Sequence, residues 1–124
     1  MPLPLLVLPA AKPVETVLID DVRRFRDGRP CLIARSAAAG VNLLEQLHRQ
    51  RIEHLWLDHD LTGDDTIWPV VHLLESAALS DQPFDIGTIH IHAPRSGPAH
   101  RMGVNLRRVS YPTSRSNDVR MWTW

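Results

Sequence analysis

EHLWLDHDLTGDD, residues 53–65, reads as a strand that ends in acid. Leu55, Trp56 and Leu57 form a short apolar run, and Asp58, His59 and Asp60 follow at once, ahead of Gly63, Asp64 and Asp65. Carboxylates gathered at the exit of a buried strand are destabilising, because like charges repel and each loses hydration. Chains keep such clusters where a cation binds or a reaction takes place. Asp58, His59 and Asp60 are therefore the expected heart of a site.

Two further segments deliver polar groups in the same way. Residues 16–19 (TVLI) form a β-type run closed by Asp20 and Asp21. Residues 86–93 (IGTIHIHA) alternate Ile89 and Ile91 against His90 and His92, the period of a strand with two histidines on one face. Residues 31–34 (CLIA) predict another short strand. Behind Ser36 as N-cap, the spacing of Ala38, Val41, Leu44, Leu47 and His48 predicts a helix over 37–50. Pro69 suits the first turn of a second helix with Val70, Val71, Leu73, Leu74 and Leu79 on its apolar face. Residues 99–106 predict a third helix and 107–111 a last strand. Residues 22–30 read as a loop with a turn at Asp27-Gly28. Residues 113–124 have no clear period, which leaves Trp122 and Trp124 to fold back on the core or to meet a partner.

Strands alternating with helices at these intervals imply an α/β domain with a parallel sheet of about five strands and helices on both faces. In such sheets the site lies beyond the carboxyl ends of the strands, where strand order reverses. The chain length suits one core: an extension over 1–15, the α/β domain over 16–112 and a tail over 113–124.

Formal net charge is zero, so bulk charge argues for neither nucleic acid nor membrane. Its distribution is uneven. Residues 53–85 hold no Lys or Arg, whereas residues 95–120 hold six arginines against the single acid Asp118. An acidic middle and a basic end fit a site that holds a cation and an anion together, or simply an uneven solvated surface. The lone Cys31 excludes an internal disulfide and a Cys-rich zinc module, so no disulfide-linked partner is expected and a reducing cytoplasm fits. Residues 1–11 are apolar but lack a basic start and are broken by Pro2, Pro4 and Pro9. Neither a signal peptide nor a membrane span is expected.

IDDVR at 19–23, ARSAAAGVNLL at 34–44, LDHDL at 57–61 and IHIHAPRSGPAHRM at 89–102 resemble the successive signatures of the cyclic-phosphate processing receiver domain family. The resemblance spans roughly residues 17–108. It implies a receiver-like, flavodoxin-like three-layer sandwich and action on a cyclic phosphate, with a small cyclic nucleotide or an RNA end as partner. Carried over by position, it marks Asp20, Asp21, Arg23, Arg35, Asp58, His59, Asp60, His92, Arg101 and Met102. Where the family has Ser, Asn and Pro after the histidine, this chain has Ala93, Arg95 and Ser96. Ordinary phosphorelay receivers use a lysine on a later strand, and no lysine follows Lys12 here, which weighs against aspartyl-phosphate signalling.

The residue types define the expected chemistry. Asp20, Asp21, Asp58 and Asp60 offer hard oxygen ligands for Mg2+ or Mn2+; the other common use of such carboxylates is to cap turns and helix starts. His92 and His59 titrate near neutrality and suit general acid–base work beside Asp58. Arg23, Arg35, Arg95 and Arg101 offer paired donors to a phosphate. LWLDHDLT also fits the Asp-x-Asp-x-Thr pattern of haloacid-dehalogenase-type phosphatases, but too little chain follows it for that fold. Neither a P-loop, a Gly-x-Gly-x-x-Gly fingerprint nor a Gly-x-Ser-x-Gly elbow is present. Hydrolysis of a cyclic phosphate is the first functional expectation, and a non-catalytic module that binds a phospho-ligand or partner is the second.

Overall fold

The structure is a computed structural model that describes residues 12–92, 96–116 and 118–124. Its main sheet has five parallel strands: β1 (Val14–Ile19), β3 (Leu32–Ala34), β4 (Ile52–Leu57), β5 (Ile86–Ile91) and β6 (Thr113–Arg115). Their spatial order is β3-β1-β4-β5-β6. The chain leaves β1 toward one edge and returns from β3 to the other side, so strand order reverses between β1 and β4. That pair carries Asp20 and Asp58 at its carboxyl ends.

Three helices cover one face: α1 (Ala37–Gln46), α2 (Trp68–Leu79) and α3 (Ser96–Arg108). The pleat explains the split. Val17, Ile19, Leu55, Leu57, Ile89 and Ile91 point to the helices and share one core with Leu44, Val70, Leu74, Met102 and Leu106. Leu18 and Trp56 point the other way and join a second cluster with Phe25 and Trp122. That face is closed by a two-stranded antiparallel ribbon, β2 (Arg24–Phe25) with β7 (Trp122–Thr123). The fold is thus a receiver-like three-layer α/β sandwich, but helices do not lie on both faces among the described residues. The segment from Asp21 to Cys31 is too polar for a helix with an apolar stripe, and aromatic side chains from a short ribbon take its place.

Local signals account for most boundaries. Ser36 caps α1, its side chain accepting from the Ala39 N–H at 3.1 Å. Gly40 lets α1 approach β1: a Cβ there would stand 2.9 Å from the Ile19 side chain and 3.1 Å from Val70. Pro69 sits in the first turn of α2, whereas Leu79, counted with its apolar face, is 79% exposed at its end. The strand expected over 107–111 does not form. Ala99, Met102 and Leu106 carry the helical spacing into Arg108, where α3 ends, and the turn that follows holds Ser110 at a φ of 74°. The last strand of the sheet is β6 instead, inside the segment expected to be tail. Buried Tyr111 anchors this connection, donating to the Leu74 carbonyl at 2.9 Å and accepting from the Phe84 N–H at 3.2 Å. No described helix is long and apolar enough to cross a membrane.

Candidate functional site

Backbone ladders place the cluster. Immediately after their strands, the Asp20 N–H donates to the Ala34 carbonyl, the Asp58 N–H to Ile19 and the His92 N–H to Leu57, each at 3.1 Å. These residues continue the pleat of Leu18, Trp56 and His90, so their side chains fall on the ribbon face. They converge there. Potential ligand atoms of Asp20, Asp58 and His92 lie within 4.8 Å of one another, and all three residues are buried.

Asp20 is the anchor of the group. Its Oδ1 accepts from the N–H groups of Val22 (3.0 Å) and Arg23 (2.9 Å), shaping the turn after β1, and its Oδ2 lies 2.9 Å from His92 Nε2. Burial alone would raise its pKa, but the His92 bond and the two N–H groups outweigh that and hold the carboxyl well below the usual range. Arg23 spans the carboxylates, with Nη1 3.2 Å from Asp20 Oδ2 and 3.5 Å from Asp58 Oδ2. Asp58 behaves oppositely. Burial first, and the neighbouring charge of Asp20 second, push its pKa up to about 7, Arg23 opposing only in part. Burial also lowers the pKa of His92 more than Asp20 raises it, so the ring is neutral near pH 7. A neutral ring beside an ionised Asp20 carries its proton on Nε2, which leaves Nδ1 as a base lone pair. Among the described atoms, His92 Nδ1 and Asp58 Oδ1 are buried without a hydrogen-bond partner.

The other expected site residues go elsewhere. Asp21 Oδ2 accepts from the Thr62 hydroxyl at 3.0 Å. Asp60 Oδ1 lies 3.0 Å from His59 Nδ1, and His59 stands edge-on to Trp68. The four carboxylates expected to hold a metal therefore do not converge; two of them do, joined by His92, because Asp21 takes the odd position that alternates to the other face and Asp60 lies beyond the strand, in a bridge with Thr66. Arg35 is a brace: its Nη1 donates to the Asp20 carbonyl at 3.1 Å and the Arg23 carbonyl at 2.7 Å, fixing the turn that carries Arg23. Arg101 is exposed on α3 and makes no hydrogen bond or ion pair with this cluster. Arg95 lies outside the described residues. His90 stacks on Trp56 with ring centroids 4.1 Å apart and lies 2.9 Å from His54 Nδ1, away from the carboxylates. The capping use of acids is also present: Asp65 Oδ2 accepts from the Ala37 N–H at the start of α1.

Of the two tryptophans left to fold back on the core or to meet a partner, Trp122 folds back and builds an aromatic wall. Trp122 lies 4.7 Å from both the Phe25 and His92 rings, and the Trp124 ring is 5.6 Å from the Arg23 guanidinium. The signal was the bare Trp-Thr-Trp at 122–124, whose alternation sends one indole inward and one outward.

A parallel sheet in this order, with an acid–histidine cluster at its switch point, defines a receiver-like α/β domain. The family model of the cyclic-phosphate processing Receiver domain matches residues 15–108, about three quarters of the chain, and the chain belongs to that family. No curated protein and no solved structure matches it.

Proposed function

We propose that the chain hydrolyses a cyclic phosphate, on a small nucleotide or an RNA end, at Asp20, Arg23, Asp58 and His92. The observation that carries this reading is the pair of buried, unpartnered atoms, His92 Nδ1 and Asp58 Oδ1, on neighbouring side chains of opposite proton affinity. One is a base without its proton and the other an acid that keeps its proton to about pH 7. Arg23 supplies the positive charge for the phosphate. With Asp58 protonated, Arg23 balances only Asp20, and an anionic phosphate is not repelled.

The step balances simply. His92 Nδ1 takes a proton from water as the water oxygen bonds to phosphorus, and one of the two ring P–O bonds breaks. Asp58 gives its proton to the departing ribose oxygen, leaving an open phosphate monoester. Asp20 holds the His92 tautomer and stabilises the imidazolium that forms.

Asp20, Asp58 and His92 would also hold a divalent cation, the unpartnered oxygen and nitrogen being what favours that second reading. Two carboxylates with one imidazole suit Mn2+ better than Mg2+. A bound ion would draw charge from a phosphate oxygen. Arg23, between the carboxylates, already provides that charge in the acid–base reading.

The test is turnover of 2′,3′-cyclic and 3′,5′-cyclic nucleotides, in chelator and with Mg2+ or Mn2+. Asp58→Asn removes the acid and is expected to slow turnover about 100- to 10,000-fold while the protein stays folded. Activity in chelator that Asp58→Asn abolishes supports the acid–base reading, and activity only with added ion moves the chemistry to the metal reading. Saturable binding without turnover would leave a phospho-ligand-binding module.

A further inference from the structure

We propose that Trp124 is a stacking platform for a nucleobase, so that the site selects base-bearing phosphates over base-free ones; this rests on the phosphate-binding site proposed above. Trp124 is 70% exposed, although its neighbour in the ribbon, Trp122, is only 6% exposed and packed into the aromatic cluster. The Trp124 ring lies 5.6 Å from the guanidinium of Arg23, the same group that bridges Asp20 and Asp58. A phosphate drawn to Arg23 thus arrives beside an indole that carries the guanidinium over one face and is otherwise largely exposed.

The platform is held in register. Arg24 pairs with Thr123 and Phe25 with Trp122, so the ribbon that carries Trp124 is tied to the turn that carries Arg23. Arg35 braces that turn through two backbone carbonyls. A cation against an aromatic ring adds to the stacking surface, and every base presents a π face to it. Trp124 lies beyond residues 15–108, which the family model matches.

Isothermal titration of the full chain with adenosine 3′-monophosphate, and with glycerol 2-phosphate as a base-free phosphate ester, tests the assignment. Loss of one stacked base is expected to weaken the nucleotide about ten- to a hundredfold in Trp124→Ala. Trp124→Phe recovers most of that loss, and glycerol 2-phosphate binds all three proteins alike. Wild-type affinity for the nucleotide in Trp124→Ala, an equal loss for both ligands, or no nucleotide binding to the wild type overturns the platform. The titration needs no turnover. Absence of hydrolysis with base-dependent binding therefore sinks the catalytic reading alone, and hydrolysis with base-independent binding sinks the platform alone.

Discussion

Asp58 and Asp20 are the same residue type a few ångströms apart, and environment drives them to opposite protonation states. Asp20 receives two backbone N–H groups, His92 and Arg23; Asp58 has Arg23 and one backbone hydrogen bond from Asp60, which do not offset its burial and the charge of Asp20. The consequence for stability has a definite sign. Between about pH 4 and about pH 7 the folded Asp58 keeps a proton that the unfolded chain releases, so stability falls as pH rises through that window. Lowered His92 acts the other way, its stabilising share being lost as pH falls below the ordinary histidine value of 6.5. Comparing Asp58→Asn with wild type isolates the first effect. The melting temperature of the variant minus that of wild type is expected to grow from about pH 4 to about pH 7 and then level. A difference independent of pH would mean that Asp58 ionises normally.

At the scale of elements, the four strands with their polar ends and the three helices were legible, whereas the ribbon over the second face and the last strand of the sheet were not. Acid after β1 and β4 and histidine after β5 are visible because a strand's apolar run stops abruptly at a charged residue. Which of those residues converge depends on the pleat: Asp58 and His92 share a face with Asp20, while His59 turns to Trp68. The displaced last strand has a similar cause. Val109 and Tyr111 have β-type side chains, but the spacing of Met102 and Leu106 holds the segment helical through Arg108. A two-residue strand such as β2 carries no period and declares itself only through its partner. The packing of α1 on β1 makes a prediction here. Gly40→Ala forces a methyl to within 2.9 Å of Ile19, and overpacking of this kind costs about 1–3 kcal/mol. Denaturant unfolding should show that loss; unchanged stability would mean that α1 shifts freely.

Across the whole molecule, the residues beyond the family match complete the structure rather than trail from it. β6 ends the main sheet, and the ribbon strand β7 brings Trp122 over the face that the three helices leave open. Trp122→Ala would empty the centre of that second cluster, and truncating a buried aromatic costs about 3–5 kcal/mol. A thermal melt checks this, with Trp124→Ala as the contrast, since an exposed indole contributes little to the fold. Equal melting temperatures for Trp122→Ala and wild type would mean that the ribbon does not close the sheet. The same ribbon walls the site, because His92 lies against Trp122 and Arg23 against Trp124. One short segment thereby serves both the core and the expected ligand.

The central claim is that Asp58 works as the acid and His92 as the base. It is tested most directly by kcat/KM for a 2′,3′-cyclic nucleotide in chelator, measured from about pH 5 to about pH 9. Activity is predicted to fall as pH rises through about 7, where Asp58 loses its proton and the site begins to repel phosphate. Activity that instead rises through that pH, with Asp58 serving as a base, would contradict the assignment.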